Sequence, residues 1–508
     1  MNKKCFKLFA RVSFIVAIVM SLSACEGKKT ETGKIEWPEI TTEAVPLKKY
    51  LETFGDSGDS IKFCYTSYLL FYINDSYDVD NTQEESKWTP EFFEKFKEIK
   101  GYELKNHLYA LQGLDTDEMN RRVLYDYRVV ISDLLIEQLT KNLHSKVILS
   151  KANCLPVNIP DLFAASNVFK IEENAIIQLK GASSAANVTG KKLISLETIK
   201  KHNDRFIPTI DDIKNTIDNL LIAGVNHNFY QGSDLNQYIT RSQSFLQSGR
   251  PSNDILVYYA IADLWSIPSK NMLRHVHTNS IFEDAAMNEC LEYLTNEGYS
   301  WDAISDKQLL DASFKMNSIS AGGNDYKTLL VPIVHYMPIT TFEKLMNLAK
   351  DGATILFQGQ LPSFVAGFAN LEQNQISLNL LKEKLSFKEK GNLRMAKCGK
   401  GKIIISNDIS YLVAAANVKP ESLYADGLKC TRRIKCDDNF YYFIKNFSED
   451  DFEGWITLNV KYNSAALYDP MTGADGYVKT QKNNGKTEIF VQMKPQESLV
   501  IETFRGKY

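Results

Sequence analysis

Carboxylate side chains follow two of the apolar segments that the sequence predicts as strands. Asp75 and Asp78 come after residues 67–73, and Glu197 comes after residues 192–196. The carboxyl ends of parallel strands share one edge of a sheet, so these side chains are expected to line a common cleft. A carboxylic acid that protonates a leaving oxygen and a carboxylate that activates water can together cleave a glycosidic bond. Because the chain has 62 acidic residues, a pair that arises from composition alone is the competing interpretation.

A second acidic segment could hold a metal ion. Glu172 and Glu173 follow Asp161 and Asn167 along the chain, and together with Asp75 they would offer oxygen ligands of the kind that calcium prefers. A solvated turn explains the same residues without a metal.

The composition is that of an ordinary globular chain. Of the 508 residues, 44% are apolar and 24% are charged, which argues against a disordered, collagenous or coiled-coil protein. The 59 basic and 62 acidic residues leave a net charge of −3. We therefore expect no broad basic surface and no nucleic-acid partner.

The first residues have the features of a bacterial lipoprotein signal. Basic residues precede the apolar run 12–20, and residues 22–25 (LSAC) match a lipobox. We predict a signal peptide at 1–24, acyl chains on Cys25 and a polar tether at 25–45. Such an anchor would hold the protein at the membrane of the cell envelope, in the periplasm or on an outer-membrane face. An ordinary secretory signal with an incidental cysteine is the alternative.

The elements that must position these groups alternate between strand and helix over residues 46–250, which predicts a partial (β/α) TIM-type barrel. The predicted strands lie at 67–73, 146–150, 192–196 and 226–230, and the predicted helices at 90–100, 117–143, 209–222 and 235–248. A closed barrel of this type has eight strands, so four would leave open edges. Either a second copy completes the barrel as a homodimer, or other segments cover the edges and the cleft is shallow.

Two further units follow. Residues 251–430 combine buried-strand patterns at 255–259, 327–332 and 352–357 with helical patterns, as in flavodoxin-like or amidotransferase-like α/β domains. Without a GxCxG elbow this unit is predicted to be scaffold. Residues 431–508 alternate apolar and polar side chains and predict a small C-terminal β-sandwich.

Short segments in a characteristic order suggest a family. They are NDSYD (74–78), WTP (88–90), KGYEL (100–104), DYR (126–128), DLFAA (161–165), GKKLISLET (190–198), AGVNHNFY (223–230), RSQSFLQ (241–247) and YDP (468–470). In this order they resemble the α-L-rhamnosidases of glycoside hydrolase family 106, over residues 45–505. Each segment is short, and the shared order makes the resemblance specific.

The resemblance implies a glycoside hydrolase that releases terminal rhamnose from plant or bacterial polysaccharide with inversion, with calcium near its site. Asp78 stands where the family has its general-acid glutamate, and Glu197 matches the carboxylate that acts as general base. Glu173 matches an acidic residue of the calcium site. The residues expected to bind the sugar are Asp75, Tyr77 and His227.

Departures from the family pattern favour a second hypothesis. Aspartate at position 78 retracts the carboxyl by about 1 Å relative to glutamate, and a misplacement of that size costs about 100-fold in rate. Asn167 replaces a usual aspartate, the loop after residue 230 is short, and the family's first barrel half has no counterpart after the lipobox. The alternative is a non-catalytic glycan-binding or scaffold lipoprotein derived from that family.

Overall fold

A computed structural model gives the fold, chiefly from residue 90 onward. The residues it describes are 60–61, 90–112, 117–141, 146–149, 158–165, 168–171, 176–197, 209–229, 234–267 and 285–506. The helices are α1 (Pro90–Lys100), α2 (Glu118–Lys141), α3 (Ile159–Ala165), α4 (Ile176–Thr189), α5 (Ile210–Ile222), α6 (Asn236–Gln247), α7 (Ile261–Trp265), α8 (Ala285–Asn296), α9 (Asp306–Asp311), α10 (Ile339–Asp351), α11 (Leu371–Glu383) and α12 (Ile409–Ala415).

The strands form the sheets discussed below. They are β1 (Ser60–Ile61), β2 (Lys146–Leu149), β3 (Val168–Ile171), β4 (Ser195–Glu197), β5 (His227–Phe229), β6 (Arg250–Pro251), β7 (Ile255–Tyr258), β8 (Trp301–Ile304), β9 (Ser313–Lys315), β10 (Ser318–Ala321), β11 (Asn324–Tyr326), β12 (Thr328–Val331), β13 (Tyr336–Met337), β14 (Thr354–Gln358), β15 (Phe364–Val365), β16 (Phe387–Lys390), β17 (Leu393–Cys398), β18 (Gly401–Ser406), β19 (Leu428–Ile434), β20 (Phe440–Asn446), β21 (Phe452–Thr457), β22 (Ser464–Tyr468), β23 (Asp475–Tyr477), β24 (Thr480–Asn483), β25 (Lys486–Met493) and β26 (Ser498–Phe504). Within the described residues, no helix is both long and apolar enough to span a bilayer.

The first sheet consists of β1 to β5 in sequence order, and all neighbouring strands are parallel. α4 connects β3 to β4 and α5 connects β4 to β5, as parallel strands require. Leu179 of α4, Leu196 of β4 and Leu220 of α5 are buried in one apolar cluster. Among the described residues this sheet does not close on itself, so a mixed α/β architecture with an open parallel sheet is observed.

The predicted count of four strands was wrong, because β1 and β3 are strands that the pattern did not indicate. The predicted strand at 67–73 lies outside the described residues. The strand predicted at 192–196 begins only at Ser195, because the side-chain oxygen of Asn226 accepts the hydrogen bond from the Ile194 amide at 2.8 Å. The four predicted helices of this unit are confirmed with small shifts of their ends.

The second sheet has the strand order β16-β17-β18-β14-β12-β7-β8. Its five parallel strands follow the chain order 2-1-3-4-5, which is the flavodoxin-like order of doubly wound sheets. β7, β8 and β12 are buried along their whole length, as strands covered by helices on both faces are expected to be.

α2 joins the first unit, which contains the sheet of β1 to β5, to the carboxyl edge of the second sheet. The Arg128 guanidinium donates to the carbonyl of Ile267 at 3.0 Å, just beyond α7, which follows β7. The Asp126 carboxylate accepts from the Phe368 amide at 2.8 Å, in the segment after β15. Tyr125 is buried in the apolar cluster of the second sheet. α2 therefore covers the edge at which doubly wound sheets ordinarily bind ligands.

A tight backbone contact holds α4 against the turn between β10 and β11. Gly322 in this turn has φ +58°, and a Cβ there would overlap the carbonyl oxygen of Asn187. The Asn324 side chain donates to the same carbonyl at 2.7 Å. Only glycine satisfies both the left-handed backbone and the close approach.

The C-terminal residues form two packed antiparallel sheets, which we call the sandwich. One has the order β23-β22-β26-β20-β19-β6 and the other β21-β25-β24. Tyr442 of the larger sheet is buried with Ile456 and Val491 of the smaller sheet in one core. Because β6 pairs with β19, the boundaries predicted after residues 250 and 430 fall within strands of this sheet.

A buried ionic network fastens α5 to the sandwich. The Asp218 carboxylate is fully buried and lies 2.7 Å from Nζ of Lys214 and 3.3 Å from Nζ of Lys445 in β20. It also accepts a hydrogen bond from the Ser498 hydroxyl at 3.0 Å and one from the Tyr238 hydroxyl. Lys445 is 1% exposed, so two buried opposite charges neutralise each other at this contact.

Candidate active site

The carboxyl end of β4 carries the residue predicted as general base. Glu197 is the last residue of β4, and its backbone pairs with Lys170 of β3 and Phe229 of β5. Glu197 thus ends a parallel strand, as expected from the sequence, on the edge where ligands bind in such sheets, and its role as general base stays a prediction. The Glu197 side chain is outside what the structure describes.

Five of the other predicted site residues lie outside the described residues. They are Cys25, Asp75, Tyr77, Asp78 and Glu173. The separation between the Asp78 and Glu197 carboxyl groups, and the roles assigned to these residues, therefore remain predictions.

His227, the predicted sugar ligand, begins β5 and is buried. Its Nδ1 lies 2.8 Å from the hydroxyl of Ser195, its register partner in β4. Burial lowers the pKa of His227 to about 4, so its imidazole is neutral near pH 7.

The other polar residues around β5 serve the fold. The Asn226 side chain donates to the carbonyl of Lys192 at 2.8 Å, and the Asn226 carbonyl accepts from the side chain of Gln247 at 2.7 Å. The Asn228 amide donates to the side-chain oxygen of Gln243 at 2.5 Å. These contacts hold β5 against β4 and α6, so the AGVNHNFY segment is explained in large part by packing.

Asp161, considered with the calcium ligands, docks α3 on the second unit. Its carboxylate accepts a hydrogen bond from the Ser305 hydroxyl, and the Gln308 side chain donates to the neighbouring carbonyl of Pro160 at 3.0 Å. Lys307 pairs with Asp133 of α2 at 2.5 Å. Burial raises the pKa of Asp161 to about 6.

No cluster of three or more histidine, cysteine or acidic side chains suited to a metal ion occurs within the described part of the chain. The remaining oxygen ligands considered for calcium are outside that part. They are Asp75, Asn167, Glu172 and Glu173.

Asp302 is a buried carboxylate that the sequence did not single out. It accepts hydrogen bonds from the side chains of Asn187 at 3.0 Å, Asn253 at 2.8 Å and Tyr326 at 2.9 Å. Burial raises its pKa, and the nearby ammonium of Lys180 opposes that rise. An acidic residue inside an otherwise apolar strand was the available signal. Asp302 ties α4 to the second sheet, which is a structural role.

Comparison with known proteins finds a family model that matches most of the chain. The family model described as alpha-L-rhamnosidase, for glycoside hydrolase family 106, matches residues 30–155 and 229–482. A rhamnosidase structure from Novosphingobium sp. superposes with a TM-score of 0.65 at 20% identity, covering 84% of this chain and 44% of that one.

One further structure is similar in fold, and one curated protein is similar in sequence. A catalytic mutant of a family 42 β-galactosidase from G. stearothermophilus superposes with a TM-score of 0.50 at 11% identity, covering 81% of this chain and 75% of that one. A protein of Formosa agariphila named "Putative beta-glucuronidase" is 21% identical over 527 residues, which is 92% of this chain and 41% of that protein. The chain thus spans less than half the length of this curated relative and of the rhamnosidase.

Proposed function

The chain belongs to the α-L-rhamnosidase family of glycoside hydrolases, and we propose that it releases terminal α-L-rhamnose from plant or bacterial polysaccharide by inverting hydrolysis. The observation that supports this most is the family match over most of the chain. The position of Glu197 at the end of β4 is consistent with it.

In the proposed reaction Asp78 protonates the glycosidic oxygen as the bond to the anomeric carbon breaks. Glu197 removes a proton from the water molecule that attacks this carbon from the opposite face. Inversion requires the two carboxyl groups to be about 6.5–9.5 Å apart, which leaves room for the water. The residues proposed to bind the sugar are Asp75, Tyr77 and His227, the last as a neutral imidazole.

The surroundings of the reaction are also proposed. Glu173 would contribute to a calcium site that orders the sugar-binding side of the cleft, and no step of the reaction passes through the ion. Cys25 would carry the acyl chains that hold the protein at the bacterial cell envelope. A second copy of the chain would complete the barrel.

The test measures rhamnose released from an aryl α-L-rhamnoside and from rhamnose-containing polysaccharides. We expect Glu197→Gln to abolish release, because the amide cannot accept the proton from water. The control is Glu453→Gln, which changes an exposed strand residue of the sandwich and should leave the rate unchanged. The first anomer detected by NMR should be inverted. Chelation of calcium should weaken substrate binding, and added calcium should restore it.

The Asp78→Glu variant distinguishes a divergent but active enzyme from a family member that has lost its activity. The longer side chain restores the family's acid, so we expect the rate to rise by up to about 100-fold. If neither the wild type nor Asp78→Glu releases rhamnose from any substrate while both are folded, the hydrolase proposal fails.

The shorter acid at position 78 specifically favours one other function, a glycan-binding lipoprotein without turnover. It predicts saturable polysaccharide binding that Glu197→Gln leaves unchanged. Release of rhamnose that depends on Glu197 would contradict it.

A further inference from the structure

A cavity lies where the first unit, the second sheet and the sandwich meet. Lys180 of α4 lines it from the first unit, Trp301 at the start of β8 from the second sheet, and Arg432 of β19 from the sandwich. Its volume of about 40 Å³ is enough for about three water molecules or one small ion. It is at the amino ends of β7 and β8, and Glu197 is not among its lining residues.

Lys180 presents a cation to this cavity. Its Nζ lies 4.8 Å from the centroid of the Trp301 ring, on a face of the indole where a cation is attracted. No described side chain or carbonyl accepts a hydrogen bond from its ammonium group. Asp302 is the nearby carboxylate, and its oxygens already accept from Asn187, Asn253 and Tyr326.

The other charged groups at the cavity form ion pairs in which two cations, Arg432 and Lys327, balance two carboxylates, with Nζ of Lys327 3.0 Å from Asp254. Arg432 donates to Glu421 at 3.0 Å and to the carbonyl of Ser252 at 2.9 Å, and it lies 3.2 Å from Asp254. Glu421 also accepts from the Tyr442 hydroxyl at 3.0 Å. Among the described charged residues of the cavity, Lys180 is therefore the one whose ammonium group donates to no side chain or carbonyl.

The Lys180 side chain is partly exposed and faces the cavity, so the three donors of its ammonium group need acceptors from whatever fills the cavity. Burial lowers the pKa of Lys180, and Asp302 opposes this shift without forming an ion pair within 4.0 Å. An occupant that brings both an acceptor and a negative charge would satisfy this group better than water does. Ser300, whose hydroxyl oxygen accepts from the Asp254 amide at 3.1 Å, lines the same cavity and keeps its hydroxyl proton to donate.

We propose that this cavity binds one small monovalent anion, a halide or a carboxylate of one or two carbons, on the Lys180 ammonium group. The single unpaired ammonium selects one negative charge, and the cavity volume excludes a sugar acid. The site is separate from the proposed hydrolase site and does not depend on it.

Fluorescence of the full chain tests the proposal, because Trp301 is the ring next to Lys180. Formate and bromide are titrated separately at constant ionic strength, with gluconate as the balancing anion because it is too large for the cavity. We expect a saturable change with at least one probe, and at least about tenfold weaker binding in Lys180→Met. The matched control is Lys479→Met, which removes the cation 5.6 Å from the Trp455 ring and should bind like the wild type.

The two probes distinguish the sources of the anion, since saturation by formate alone indicates a carboxylate and saturation by bromide a halide. Crystals of the wild-type protein soaked in bromide give a measurement that does not depend on the variant folding. We expect an anomalous peak within hydrogen-bond distance of the Lys180 Nζ. Water alone at this position in both formate- and bromide-soaked crystals, or titrations without saturation by either probe, would overturn the proposal.

Discussion

Replacing Asp218 by asparagine should destabilise the contact between α5 and the sandwich by about 3–5 kcal/mol. The change keeps the shape of the side chain but removes the negative charge that lies 3.3 Å from Nζ of Lys445. Lys445 is 1% exposed, so its ammonium would stay buried without a counter-charge, next to the side-chain oxygen of Asn215 at 3.0 Å and the Phe447 ring centroid at 4.7 Å. A buried charge that loses its counter-charge accounts for the size of the effect.

Thermal unfolding followed by calorimetry and by tryptophan fluorescence measures this loss. A unit of 150–250 residues shifts its melting temperature by about 2–4 °C per kcal/mol, so we expect a decrease of about 6–20 °C. Asp451→Asn, which alters an exposed carboxylate of the sandwich, is the control and should stay within about 0.5 kcal/mol of the wild type.

A double-mutant cycle identifies the cause. If the unpaired Lys445 is responsible, adding Lys445→Met to Asp218→Asn should recover about 1–3 kcal/mol relative to the sum of the single changes. Burial lowers the pKa of Lys445, and Asp218 opposes this shift. Raising the pH toward 10 should therefore also reduce the destabilisation caused by Asp218→Asn, because the lysine becomes neutral. A loss below about 1 kcal/mol in Asp218→Asn, or additive effects in the cycle, would refute the reasoning.

Three other perturbations have defined outcomes. Gly322→Ala should lower the free energy of unfolding by about 2–4 kcal/mol, because it adds left-handed strain and an overlap with the Asn187 carbonyl. The control is Gly323→Ala, whose added Cβ contacts no atom, so calorimetry of the two variants measures the contribution of the overlap. Burial raises the pKa of Asp161 from 3.8 to about 6, so the stability it contributes is present below pH 4 and is lost as the pH rises through 6. Asp161→Asn should therefore flatten the pH profile of urea unfolding between pH 4 and 7 and gain up to about 3 kcal/mol at pH 7; an unchanged profile would contradict this. Burial lowers the pKa of His227 from 6.5 to about 4, so its contribution is complete above pH 6.5 and is lost as the pH falls through 4. His227→Gln should therefore reduce the loss of stability at acid pH in the same assay. If the free energy of unfolding of this variant falls as steeply below pH 6 as that of the wild type, the lowered pKa of His227 is not the cause.

Local signals predicted the helices well. α1 begins at Pro90 and is followed by Gly101 at φ +78°, and α5 begins after Thr209, which forms a capping box with Asp212. These features act within one turn of the chain, so they can be recognised without knowledge of the fold.

Contacts between distant segments were not predictable in the same way. β3 has four residues, and Lys170 interrupts its apolar pattern, so its pairing with β2 and β4 had no periodic signal. Asp302 and Asp218 each also bind a partner from another unit of the fold, Asn187 and Lys445 respectively, and a single sequence does not show which distant side chain will meet a buried carboxylate. The position of Glu197 was predictable because strand ends in parallel sheets meet at one edge by topology.

The way α2 is attached limits how this protein can be divided into parts. Its side chains are bonded to the segments after α7 and β15, through Arg128 to Ile267 and through Asp126 to Phe368, while Tyr125 is part of the neighbouring core. A recombinant fragment that starts after α2 would expose an apolar groove with unmatched carbonyl and amide groups along its rim. Shuffling the second unit between proteins as an independent module would therefore require carrying this helix with it, or redesigning the edge that the helix covers.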